Sequence, residues 1–277
     1  MAQAASAGPV PTSLARRGLL WMVSFTLLWV LLIVWQPMIP SSGAPTTFHQ
    51  LTAHALIALG LWLGLETTAL APAQRRMTWL AVMIPYTLWF AVAWSAAIDG
   101  VFRTGAAPPP VPLLPLAIFL PVIIGAPVLL LSERVGQALD GIPTSWPVAI
   151  QIYRVFGGWM LAAWMHGTVP GLLALPAGTG DMLTGMFAAP TAIALAAGTA
   201  RSRRAAFIWN LFGLADFAVA ITMGMITAPG RFHVIAAGVT NGGVGAYPGV
   251  LTPAFVVPSS ILLHAVSLRQ LRRRGSG

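Results

Sequence analysis

Runs of about 20 predominantly apolar residues, the length that crosses the hydrocarbon core of a bilayer as a helix, recur along this chain. Hydrophobic residues make up 57% of the 277 residues and charged residues only 8%. A soluble domain carries about 25% charged residues. We therefore predict an all-α polytopic membrane protein, in which a bundle of transmembrane helices contacts the lipid bilayer.

The chain contains eight such segments, which we predict to be transmembrane helices. They cover residues 18–38, 51–70, 77–98, 111–131, 147–168, 182–200, 205–227 and 250–268. The first is longer than the apolar core of a signal peptide, so we expect it to be retained. The linkers between the segments are too short to separate domains, and we expect a single transmembrane domain over residues 1–277.

The basic residues lie mostly in the short loops between these segments, and all 15 of them are arginines. If all eight segments cross the membrane, twelve arginines fall on the side of the two termini, Arg103 and Arg231 fall on the other side, and Arg154 lies inside a segment. Cytoplasmic loops carry an excess of arginine and lysine. Both termini are therefore predicted to be cytoplasmic. The net charge of +9 thus needs no nucleic-acid partner, and we expect none.

The residue types that the chain lacks exclude several kinds of chemistry. Without cysteine it forms no disulfide and no thiolate metal site, and without lysine it forms no Schiff base with retinal or pyridoxal phosphate. The composition, which uses arginine alone and is rich in alanine, glycine and proline, is typical of a GC-rich bacterial genome. We therefore expect a multi-pass protein of the bacterial cytoplasmic membrane, and we predict no cofactor.

Arg154 lies within the apolar segment 147–168, where its charge is costly. The guanidinium does not lose its proton in proteins, and a lone charge at the centre of a membrane helix costs about 2.5–3.5 kcal/mol even on the lenient insertion scale. We therefore expect a carboxylate partner. Asp216 on the seventh segment is the favoured partner, and Glu66, which lies closer to the membrane surface, is the second possibility.

Other polar residues are expected in the same half of the membrane as Arg154. Asn210 and His264 lie on the seventh and eighth segments, and Gln151 lies about one helical turn before Arg154. Intramembrane ionisable residues often mark ligand sites or transport paths, so the set predicts a site for a small polar or anionic ligand. The alternative is a buried salt bridge that only determines which helices pack together.

A second group of polar residues is expected at the outer face. His54 and His166 lie near the outer ends of two segments, and His49 and His233 lie in outer loops. Neutral imidazoles facing each other would be able to ligate haem or a metal, although no pair shows a recognised ligand spacing. A further polar residue, Asp181, follows the stretch P-A-G-T-G and is expected to cap the N-terminus of the sixth helix.

The second half of the chain carries several recognisable stretches. They are Q-I-Y-R-V-F-G-G from Gln151, P-A-G-T-G-D, W-N-L-F-G-L-A-D, A-Y-P-G-V-L-T-P-A-F-V-V-P, and L-H-A-V-S-L. With these stretches the chain resembles a family of uncharacterised bacterial multi-pass integral membrane proteins. The resemblance implies a membrane location and a shared helical core, and it implies no substrate, cofactor or catalytic residue.

Three functions remain compatible with the sequence. The leading hypothesis is a permease-like protein or a protein that binds a small polar ligand, with its polar site at the intramembrane Arg/Asp cluster. One alternative is a membrane-embedded enzyme or a haem-binding redox protein that uses the outer histidines. The other is a structural or assembly partner without a small ligand. No catalytic residue is predicted, and the sequence leaves the oligomeric state open.

Overall fold

The computed structural model of the protein describes residues 12–35, 43–103, 112–230, 232–235, 238–239 and 241–273. Arg231 and Arg274, which enter the topology prediction, lie outside these ranges. In the described part of the chain the secondary structure is entirely helical, as the sequence predicts. The α-helices are α1 (Thr12–Trp35), α2 (Gly43–Glu66), α3 (Pro72–Ile98), α4 (Leu113–Leu131), α5 (Glu133–Gly141), α6 (Trp146–Ala149), α7 (Trp159–Met165), α8 (Gly171–Ala196), α9 (Ala200–Thr227) and α10 (Val257–Arg273).

Five helical stretches among the described residues are long and apolar enough to cross a membrane. They are Thr46–Glu66, Pro72–Ile98, Leu113–Leu131, Ala200–Thr227 and Thr252–Arg273. These helices are those expected of a membrane protein, and large apolar side chains are exposed along them, including Leu88 and Ile123. The remaining three predicted spans fall on α1, on the helical segment 146–165 and on α8.

The segment that carries Arg154 is not a continuous α-helix. Its middle part, Ile150–Gly158, is a 3₁₀ helix of nine residues between α6 and α7. Runs of 3₁₀ helix longer than three or four residues are uncommon, because their hydrogen bonds are poorer than those of an α-helix. Packing against neighbouring helices therefore has to stabilise this segment, and most of it is buried.

The 3₁₀ helix packs against α8, and α8 also packs against α9 and α1. Small residues make this close approach possible. A Cβ on Gly185 of α8 would overlap the backbone of Arg154 and Val155, and its distance to the Arg154 carbonyl carbon would be 2.8 Å. The helix α8 is therefore the central element of the bundle, and a glycine determines its distance from the segment that carries Arg154.

The short helix α5 was not expected from the sequence, and α10 holds it in place. Arg269 on α10 donates from Nε and Nη2 to the two carboxylate oxygens of Asp140, each at 3.1 Å, and its Nη1 donates to the backbone carbonyls of Leu129 and Leu130. Carbonyls at the end of a helix have no partner within that helix. Arg269 therefore joins the end of α4 to α5.

We expect the substitution Gly185→Ala to destabilise the protein by about 1–3 kcal/mol or more, because the added methyl group meets backbone that cannot rotate away. The measurement is thermal unfolding of the full chain in lipid nanodiscs. The matched control is Gly224→Ala on α9, where the nearest atom to the new Cβ, Leu173 Cδ1, is 3.9 Å away. Equal midpoints for the two variants would contradict the packing described here.

Candidate functional site

Arg154 is 2% exposed and donates hydrogen bonds to side chains of three other helices. Its Nε donates to Asp181 Oδ1 of α8 at 2.7 Å, and its Nη2 donates to Asp216 Oδ2 of α9 at 2.6 Å. Its Nη1 donates to His264 Nε2 of α10 at 2.9 Å. The guanidinium thus joins α8, α9 and α10 to the 3₁₀ segment.

The guanidinium has two carboxylate partners. Asp181 Oδ1 also lies 2.6 Å from Arg154 Nη2, so one oxygen of Asp181 is within ion-pair distance of two nitrogens. The face of the guanidinium packs on the ring of Phe217, with Cζ 3.9 Å from the ring centroid. The hydrogen bonds from the guanidinium to the two carboxylates are charge-assisted, and such bonds are roughly twice as strong as neutral ones. The two partners differ in exposure, since the Asp181 side chain is 22% exposed and that of Asp216 is 4% exposed.

His264 continues the network away from the two carboxylates. A guanidinium can only donate, so His264 Nε2 is the acceptor and the imidazole is neutral with its proton on Nδ1. Nδ1 then donates to Asn210 Oδ1 at 2.9 Å, and Asn210 Nδ2 donates to Ser267 Oγ at 3.0 Å and to the Ala206 carbonyl at 2.7 Å. Each of these polar groups therefore has a partner.

Arg154, Asp181, Asp216 and His264 form the Arg154 cluster, and three glycines leave the space that it occupies. A Cβ on Gly157 would overlap the Asp181 side chain, one on Gly180 would overlap the Asp216 carboxylate, and one on Gly213 would overlap the His264 ring. Close approach of helices through small residues is a common feature of membrane bundles. The cluster thus depends on small residues in the 3₁₀ segment, α8 and α9.

A cavity of about 220 Å³ lies against the carboxylate side of the cluster. One water molecule needs about 10–15 Å³ on this measure, so the cavity has room for a small organic molecule. Asp181, Asp216 and Phe217 line its inner end. At the other end it reaches the exposed residues Arg103, Gly230 and Phe232, where α3 and α9 end and α4 begins.

The structure brings four of the six predicted site residues together, namely Arg154, Asp216, Asn210 and His264. The pairing of Arg154 with Asp216 is confirmed. Glu66 is exposed at the end of α2, and none of the described hydrogen bonds or ion pairs of Arg154 involves it. Gln151 is buried, and its Nε2 lies 3.4 Å from the Pro147 carbonyl, so it lies beside the network without joining it.

Sequence reasoning missed the role of Asp181. The prediction that Asp181 caps a helix is wrong, because α8 begins at Gly171 with Pro170 as its N-cap residue. The glycines and the proline of the stretch P-A-G-T-G led the prediction to place the helix start too late. These residues lie inside α8, and the useful signal would have been a second carboxylate at membrane depth.

The outer histidines are not gathered at one site. His54 stacks on Tyr86 and Phe90, whereas His49 is buried against Phe156. His166 and His233 are exposed. Among the residues that the structure describes, no group of three or more histidine, aspartate or glutamate side chains has an arrangement that could hold a metal ion.

We expect Arg154→Ala to destabilise the protein by about 3–5 kcal/mol, because it leaves two buried carboxylates without a counter-charge. Asp216→Ala should cost less, since Asp181 still pairs with the guanidinium. The double variant should be milder than the sum by about 0.5–3 kcal/mol, the range found for residues in contact.

Thermal unfolding of the full chain in nanodiscs measures these differences. The exposed carboxylate of Glu66 supplies the control, and Glu66→Gln should leave the midpoint unchanged. Additive effects of Arg154→Ala and Asp216→Ala would contradict a direct interaction between the two residues.

Comparisons with known proteins place the chain in a family. Residues 111–272 match the model of a family described as Domain of unknown function (DUF8737), and the match contains all members of the Arg154 cluster. The curated proteins and the solved structures contain no match to the chain. The family match agrees with the resemblance of the second half of the chain to an uncharacterised family. Because the matched residues make up more than half of the 277, the chain belongs to this family of unknown function.

Proposed function

We propose that this protein is a permease-like membrane protein that binds a small polar ligand in the cavity next to Arg154. The observation that carries the proposal is the position of the ion cluster at the inner end of a cavity. Asp181 and Asp216 line that end, and each also contacts the guanidinium of Arg154. Ionisable residues inside a membrane protein usually face a ligand path or a water-filled space.

The proposal also rests on the packing of the side of Arg154 that faces away from the two carboxylates. His264, Asn210 and Ser267 are buried and form a continuous chain of hydrogen bonds on the side of Arg154 away from the carboxylates. These buried residues close this side of the cluster. A permease needs a site that is open to one side and closed to the other, and transporters place such sites between helices near the membrane midplane.

The proposed topology has eight membrane crossings, both termini in the cytoplasm, and the cavity open to the outer side of a bacterial cytoplasmic membrane. Three helical stretches, in addition to the five that are long and apolar enough to cross a membrane, support this count. The arginine distribution supports the orientation, because Arg75, Arg76 and Arg201 lie at the starts of α3 and α9, away from the cavity mouth.

Fusion of a reporter after Arg274 should give a cytoplasmic signal, since an even number of crossings puts both termini on one side. The control is a fusion in the loop after Ile98, at the end of α3, which should give a periplasmic signal. A periplasmic signal from the fusion after Arg274 would overturn the count of eight.

The absence of native cysteine allows a direct test of the cavity. We expect the single variant Ala220→Cys to react with a water-soluble thiol reagent in nanodiscs, because Ala220 lines the cavity one turn after Asp216. Thr222→Cys is the matched control on the same helix. Thr222 is exposed and points about 200° around α9 from Ala220, towards lipid.

The measurement is the rate of thiol modification, followed by mass spectrometry. Faster modification at Ala220→Cys than at Thr222→Cys is the result that supports a water-filled ligand site. If the cysteine at position 220 reacts no faster than the one at position 222, the cavity is not open to water and the proposed function fails.

A further inference from the structure

We propose that the ligand of this cavity is an organic cation with an apolar body, whose charged end meets Asp181 and Asp216. This inference rests on the proposed function, because it uses the same cavity, and it adds the chemical class of the ligand. From the sequence alone, the ligand was expected to be small and polar or anionic. The second carboxylate reverses the expected sign of its charge.

The cluster contains more acidic groups than basic ones. Arg154 supplies one positive charge, Asp181 and Asp216 supply two carboxyl groups, and His264 is neutral because its Nε2 accepts from the guanidinium. Each carboxylate uses one oxygen for Arg154, and its second oxygen accepts no hydrogen bond from any residue that the structure describes. With both carboxyl groups ionised, the site offers one unbalanced negative charge and two acceptor atoms, which a protonated amine matches.

The cavity wall determines the rest of the ligand. Apart from a few polar groups, the wall consists of apolar and aromatic side chains, among them Phe102, Ile118, Trp159, Leu173, Phe217 and Ile221. Aromatic faces attract organic cations and also accept apolar groups. A small hydrated metal ion would leave this apolar wall unused, whereas an amine with an apolar body would cover it.

A second acceptor lies further out in the same cavity. Asn241 is 3% exposed and lines the cavity, and its Nδ2 donates to the Gly224 carbonyl at 2.9 Å and to Thr227 Oγ1 at 3.0 Å. The carbonyl can only accept, so the orientation of the amide is determined. Asn241 Oδ1 has no donor among the described residues, and a buried acceptor without a donor is costly.

The length of the cavity also indicates the size of the ligand. Gly224, which lines the cavity, is eight residues after Asp216 on α9, a separation of about 12 Å along the helix axis. A ligand that filled this length would be an extended molecule with an apolar middle. Arg103, the basic side chain at the mouth, is exposed, so water and salt screen its charge.

The charge of the site can be measured with two thiol reagents that differ in sign. The probes are the cationic trimethylammonium-ethyl methanethiosulfonate and the anionic sulfonatoethyl methanethiosulfonate, applied to Ala220→Cys in nanodiscs. Each rate is divided by the rate of the same reagent with free cysteine, which removes the difference in intrinsic reactivity. We expect the normalised rate of the cation to exceed that of the anion by about tenfold or more, because the unbalanced carboxylate lies one helical turn away.

The source of this preference is tested with one more substitution. Asp181→Asn in the Ala220→Cys background should bring the normalised ratio to within about twofold of one, because one carboxylate then balances the guanidinium. The matched control is Asp99→Asn, which removes an exposed carboxylate at the same end of the bundle and should leave the ratio unchanged. If Asp181→Asn does not fold, the ratio in Ala220→Cys alone still decides the sign of the charge.

Protection of the cysteine then tests the ligand class. Phenylethylammonium should slow the reaction of Ala220→Cys with the uncharged reagent N-ethylmaleimide, whereas phenylpropionate and phenylpropanol at the same concentration should not. Equal normalised rates for the two charged reagents, or equal protection by all three compounds, would overturn the cation proposal while leaving the cavity itself intact. Failure of every reagent to reach position 220 would instead overturn the proposed function.

Discussion

The fold around the site depends on the burial of one guanidinium. Arg154 is 2% exposed in the middle of an apolar segment, and its charge is tolerable only where carboxylates replace the lost water. Two aspartates on different helices do so, and a histidine on a third helix accepts a further hydrogen bond. The requirement to pair one charge therefore brings α8, α9 and α10 to the same point along the 3₁₀ segment.

The close packing of these helices follows from the reach of the side chains. Aspartate is short, so its helix has to come near the arginine, and bulky residues at the contact would prevent this. Gly157, Gly180 and Gly213 remove that obstacle, since a Cβ at each position would overlap a member of the cluster. A nine-residue 3₁₀ helix in the same place has a narrower winding than an α-helix. Both features bring the charged groups together at the expense of local stability, which the cluster has to compensate.

The same interaction gives the proposed site its character. A single carboxylate would have balanced Arg154 and left a neutral salt bridge suited to holding helices together. The second aspartate gives the cluster two carboxyl groups for one guanidinium, and its side chain is the more exposed of the two. Because the cavity ends at these carboxylates, the proposed ligand would meet the ion cluster directly. On the other side, the hydrogen-bonded chain through His264 and Asn210 consists of satisfied polar groups and closes the bundle.

Composition and the spacing of apolar segments determined the class of the protein, because hydrophobic length and the cost of charge in lipid depend on residue type alone. They also indicated that Arg154 needs a carboxylate partner, with Asp216 favoured over Glu66, since a buried charge without a partner is costly whatever the fold. Composition and spacing placed Asp181 at a helix start, because glycine and proline usually indicate the end of a helix. Only the packed structure shows that α8 continues through these glycines and the proline. The tertiary structure decided that Glu66 stays outside the cluster, that Asp181 joins it, and that a cavity ends there. These outcomes depend on which helices become neighbours. The choice of neighbours depends on the three-dimensional packing of small residues, which no local sequence pattern encodes.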